Sequence, residues 1–136
     1  MRYAQIIARL LLGFVFFGSG LAGLLNLIPP PPDLPEKLQT FMAGLMATTY
    51  FFPLLKGTET ICGLLLMTGA YVPLALVVLA PITLNILLTH AFLAPDGVIL
   101  AIVMLVLHLF LALVASPYKE HILPLFRARV EESWKK

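Results

Sequence analysis

From Leu10 to Ile28 the chain runs without a charged residue, and, apart from one histidine in each, it does so again from Val72 to Leu93 and from Val98 to Ala115. At about 1.5 Å of rise per residue, each run as a helix spans most or all of a hydrocarbon layer of roughly 30 Å. The remaining residues cannot hide such helices from water. Of 136 residues 60% are hydrophobic and 12% are charged, against roughly 25% charged in an average soluble domain. A soluble globule is therefore excluded in favour of one multi-pass membrane domain.

Prolines and small charged clusters set the boundaries. Arg2 and Arg9 lead the first span, expected over residues 4–28. The small residues Gly18-Ser19-Gly20-Leu21-Ala22-Gly23 would also suit a signal-peptide cleavage site. The apolar run continues past them, so a retained helix is expected. Pro29 to Pro32, Asp33 and Pro35 then stop it, because proline lacks the amide hydrogen and its ring clashes with the preceding turn.

The next uncharged stretch, Leu38 to Leu55, is deceptive. Leu38, Phe41, Met42, Leu45 and Met46 fall on one helical stripe with polar or small residues elsewhere. This predicts an amphipathic helix over 35–49 that lies in an interface or groove. If that stretch crossed the membrane, too little chain would remain after Thr60 to return before the Gly69 to Pro73 break. The second span is thus expected over 50–70, carrying Lys56 and Glu59. The third is expected over 72–93, ending at the Ala94-Pro95-Asp96-Gly97 turn, and the fourth over 98–115. Ser116 reads as an N-cap with Pro117 at the first position of a terminal helix. In the tail, 117–136, Phe126, Val130 and Trp134 recur every four residues beside Arg127, Arg129, Lys135 and Lys136. That pattern suits either a helix resting on an anionic leaflet or a solvated basic tail.

The expected fold is all-α: a four-transmembrane-helix bundle with an extracytoplasmic amphipathic helix between spans 1 and 2 and a basic cytoplasmic C-terminal helix. Basic residues gather at both chain ends, which an even number of spans puts on one side. The positive-inside rule makes that side the cytoplasm of a plasma membrane. A formal net charge of +2 without a basic, aromatic-rich patch argues against a nucleic-acid partner. A single cysteine, Cys62, excludes disulfides and CxxC motifs within the chain and reads as a buried hydrophobe. No internal repeat suggests an inverted-repeat transporter.

Within the spans, ionisable groups cost roughly 2.5–3.5 kcal/mol to insert and should face the bundle interior with a partner. Glu59, Asn85 and His108 each sit near the middle of a span, and small residues share their helix faces: Cys62 and Gly63 with Glu59, Ala101 and Ala112 with His108. An interior polar cluster of the three is expected. Lys56, His90 and Arg9 are further candidates. The plainer reading has Lys56 neutralising Glu59 at i, i+3, Asn85 and His108 joining helices, His90 solvated and Arg9 snorkelling to the interface. A metal site is not expected, since no histidine or carboxylate pair has ligand spacing. No catalytic nucleophile or phosphate loop is recognisable.

Arg9-Leu10-Leu11-Leu12-Gly13 with Phe16 and Gly20, Glu59 with Gly63-Leu64-Leu65-Leu66 and Gly69, and His90-Ala91-Phe92-Leu93-Ala94-Pro95 resemble the DoxX family of small four-helix membrane proteins. The resemblance runs up to Ser116. It implies a four-helix bundle and, for some relatives, association with quinone-using membrane redox systems. Relatives often carry a lysine at the end of the first helix, where this chain reads Ala22-Gly23-Leu24-Leu25-Asn26. The expectation is a non-enzymatic accessory subunit in the bilayer, with a redox partner or a homo-oligomer as its assembly. Its interior pocket would take a quinone or another small amphipathic molecule. An assembly scaffold and a small-solute or proton transporter are the alternatives.

Overall fold

The computed structural model describes residues 1–128. Helices α1 (Arg2–Leu24), α2 (Glu36–Ala47), α3 (Phe51–Thr68), α4 (Val72–Phe92), α5 (Val98–Leu109) and α6 (Tyr118–Ile122) follow one another, with no strand among the described residues. A 3-10 turn, Pro95–Gly97, leads into α5, a π turn, Phe110–Val114, extends it, and a second 3-10 turn, Leu123–Phe126, follows α6. Four helices are long and apolar enough to cross a membrane: α1, α3, α4 and the segment Pro95–Val114 built around α5. The uncharged run of α2 is not among them, and the second of the four is the helix that carries Lys56 and Glu59.

Local chemistry accounts for the ends. Helix α1 stops at Leu24, short of the expected Ile28, because Asn26 turns left-handed at φ 51° and the residue before a proline is pushed out of the helical region. Gly69, at φ 80°, closes α3 with its N–H on the Leu65 carbonyl, a conformation that suits glycine. At the start of α6, Pro117 occupies the cap position rather than the first helical one. The Ser116 hydroxyl caps no backbone group and instead donates to Glu120 Oε1 at 2.7 Å. Beyond α6 the chain tightens through the Leu123–Phe126 turn and is extended at Arg127, so Phe126 and Arg127 do not continue a terminal α-helix. Arg129, Val130, Trp134, Lys135 and Lys136, on which the expected membrane-surface helix depends, lie outside the described residues.

The most intimate pairing joins α1 to α3, where glycines let the backbones touch. A Cβ on Gly13 would fall 2.9 Å from the Gly63 carbonyl oxygen, and one on Gly20 would fall 2.8 Å from that of Lys56. Small residues are what permits helices in lipid to approach this closely. Leu12, Phe16, Leu66, Leu76, Leu79 and Leu111 fill the centre of the bundle. The outer faces are also apolar: Phe14, Ile61, Leu74 and Ile99 are all more than half exposed. A surface of this kind is unstable in water and matched by lipid. The α2 helix and the Pro95–Gly97 turn gather at one end of the bundle, and the N-terminus, the Gly69–Tyr71 turn and α6 at the other.

Candidate functional site

Four of the six polar residues singled out in the sequence border a single cavity of about 350 Å³ toward the α2 end: Lys56, Glu59, Asn85 and His90. On α3, Glu59 faces inward with Cys62, Gly63 and Leu66 and is 3% exposed. Lys56, one turn nearer the α2 end, donates to Glu59 Oε2 at 2.9 Å and to Ser19 Oγ on α1 at 3.3 Å. Its stem covers Gly23, and its ammonium stands 5.8 Å from the centre of the Phe52 ring. Among the described residues no group bonds the second carboxylate oxygen. The pair thus places two opposite charges at the cavity wall, with half of the carboxylate uncommitted.

His90 and Asn85 contribute from α4. His90 Nδ1–H donates to the Ala94 carbonyl at 3.2 Å, which fixes the ring and leaves Nε2 without a protein partner among the described residues. Asn85 makes no side-chain hydrogen bond there either and is exposed. This corrects the expectation that it points into the bundle. Helix α4 turns Leu76, Leu79 and Thr83 inward, and Asn85, two residues beyond Thr83, stands roughly 200° around the helix from it. Its amide therefore lies at the rim of the gap between α3 and α4. An amide left unbonded in hydrocarbon costs on the order of a few kcal/mol.

The amphipathic helix closes the top. Leu38, Phe41, Met42 and Leu45, the predicted stripe less Met46, are the half-buried residues of α2, and all four line the cavity. Val15, Phe16, Leu55, Ile86, Leu100 and Met104 complete an apolar wall around the polar groups. The volume and the mixture of apolar surface with a few polar atoms match small-molecule sites.

His108 and Arg9 lie elsewhere. The His108 imidazole donates from Nε2 to the Leu76 carbonyl at 2.9 Å, toward the opposite end of α4, and accepts at Nδ1 from the Thr83 hydroxyl at 2.9 Å. Both ring nitrogens are used, directly before α5 widens into its π turn. The expected cluster of Glu59, Asn85 and His108 is thus divided: His108 borders a separate apolar cavity of about 230 Å³ with Leu76, Ala112 and Ile122. Arg9, at the α6 end, donates to the Tyr118 hydroxyl at 3.1 Å and packs on Gly69, where the carbonyl end of α3 favours a cation. No group of three or more metal-ligating side chains occurs among the described residues. Sequence reasoning missed Ser19 and Thr89, which border the cavity, and Thr83, which bonds His108. Thr83 was detectable as the residue one full heptad after Leu76 on the inward face of α4.

A bundle of helices long and apolar enough to cross a membrane, around an off-centre, partly charged cavity roofed by an amphipathic helix, defines a small integral membrane protein with a pocket among its helices. The DoxX family model matches residues 4–92, from the start of α1 to the end of α4, and the chain belongs to the DoxX family. The match stops short of α5, whereas the resemblance read from the sequence reached Ser116. Comparison with curated proteins and with solved structures found no match.

Proposed function

We propose that this membrane protein binds a small amphipathic molecule, a quinone being the leading candidate, in the cavity beneath α2. In this reading it serves a membrane redox system as a non-catalytic accessory subunit, alone or as a homo-oligomer. It lies in the plasma membrane with its N-terminus and the α6 end in the cytoplasm. The observation that carries the proposal is the polar wall left incompletely paired among the described residues: a Lys56–Glu59 ion pair with one free carboxylate oxygen, beside an unbonded His90 Nε2 and Asn85 amide. Lys56 can donate to a quinone carbonyl, while Glu59 or His90 can accept from a hydroxyl of the quinol that a redox partner has reduced. His108, committed on both nitrogens, has no part in this.

An assembly scaffold would be better served by a closed and self-paired polar cluster, so the open hydrogen-bonding groups count against that alternative. Calorimetric titration of the detergent-solubilised protein with a short-chain quinone should give saturable binding. Glu59→Gln should weaken it about tenfold, a loss of about 1.4 kcal/mol. Binding indifferent to this substitution, together with no retained ligand in native mass spectrometry, would overturn the proposal.

A further inference from the structure

The cavity beneath α2 does not end at Asn85. A second chamber of about 300 Å³ shares Phe41, Leu45, Leu55 and Asn85 with it and continues past Phe51, Pro81 and Ile82 along the gap between α3 and α4. Beyond Asn85 its walls carry no charged group. The exposed flanks of this gap, Leu54, Val78 and Leu84, are apolar and belong to the faces that meet lipid. Asn85 is the one polar residue of the four that line both, between a polar inner chamber and an apolar outer one beside the lipid-facing flanks of α3 and α4.

We infer that the ligand is a single-tailed amphiphile that enters from the bilayer between α3 and α4. Its head sits against Lys56, Glu59 and His90, and its apolar chain lies in the outer chamber along Pro81 and Ile82. This inference rests on the pocket reading above and adds the ligand's chain and its route. The shared wall of the two adjoining chambers supports it, since the inner one lies near the small end of ligand sites and leaves no room for a long chain. The Asn85 amide supports it independently. Among the described residues it has no protein partner at the neck, where it can donate to or accept from the polar atom next to the chain. Pro81 contributes a flat, apolar wall, and its missing N–H takes one rung out of α4 at the same level.

The test compares two benzoquinones with the same ring, one bearing a decyl chain and one a methyl group. Binding of each is measured relative to the unsubstituted protein, so that partition into detergent cancels. Ile82→Trp fills the outer chamber and should weaken the decyl compound at least tenfold while leaving the methyl compound within twofold. Asn85→Leu should weaken both. A decyl analogue with a diazirine at the chain end, photolysed on the unaltered protein, should label Phe51, Pro81 or Ile82, which keeps the inference testable if Ile82→Trp does not fold. Both compounds binding with equal indifference to Ile82→Trp, or label confined to α1 or α6, overturns the chain path and leaves the pocket standing. Failure of both compounds to bind overturns the pocket reading along with it.

Discussion

At the scale of single residues, the Lys56–Glu59 pair has two separable consequences. The carboxylate is almost fully enclosed and the lysine largely so, with side-chain exposures of 3% and 17%. Removing one partner therefore strands a charge, whereas removing both removes the need for pairing. Lys56→Met should lower stability by about 3 kcal/mol, seen as a clear fall in Tm in detergent. The double variant Lys56→Met, Glu59→Leu should recover most of that loss while showing no quinone binding. A double variant as unstable as the single one would mean that packing, not charge, sets the cost. The sequence made this pair legible, because i, i+3 spacing on a helix leaves little choice of partner. It did not reveal that His108 belongs to a different network. Mid-span position says how deep a residue's backbone lies, but the imidazole reaches along the bundle to the Leu76 carbonyl, and only packing decides that direction.

At the scale of elements, the contact between α1 and α3 holds the site's two charged residues in register with Ser19. Gly63 is where that contact is tightest: an added Cβ would meet the Phe17 backbone and lie 2.8 Å from the Gly13 carbonyl oxygen. Backbone cannot swing aside as a side chain can, so the helices would have to part. Gly63→Ala should cost about 2 kcal/mol through overpacking. Gly18→Ala, where nothing lies within 4 Å, should be neutral or slightly stabilising, since alanine is the better helix former. Thermal unfolding of the two variants side by side checks the contrast, and equal effects would show that α1 and α3 slide freely. Glycines at helix-packing spacing announced this interface in the sequence, and the stripe on α2 announced a groove-seeking helix. The π turn after His108 had no comparable signal. Phe110 to Val114 are ordinary helix formers, and the widening there reflects how α5 must fit beside α4 and α6.

At the scale of the whole molecule, four helices of membrane-crossing length would return the chain to its starting side, and the basic residues of both terminal regions, Arg2 and Arg9 with Lys119 and Arg127, gather at that end. The α2 end carries Asp33, Glu36, Lys37 and Asp96, with no comparable excess of positive charge. Charge bias of this kind selects the cytoplasmic side during insertion. It would leave the α2 roof facing outward and the lateral entrance between α3 and α4 in the outer half of the bilayer. Single cysteines placed in a Cys62→Ser background read this directly, because Ala43 on α2 and Ala128 after α6 are both exposed. In intact cells a membrane-impermeant maleimide should label the Ala43→Cys variant at once and the Ala128→Cys variant only after permeabilisation. The reverse pattern would turn the molecule over and put the ligand entrance in the inner leaflet. Labelling of both sites in intact cells would require an even number of crossings between α2 and Ala128, so that one of α3, α4 and the Pro95–Val114 segment would not span the membrane.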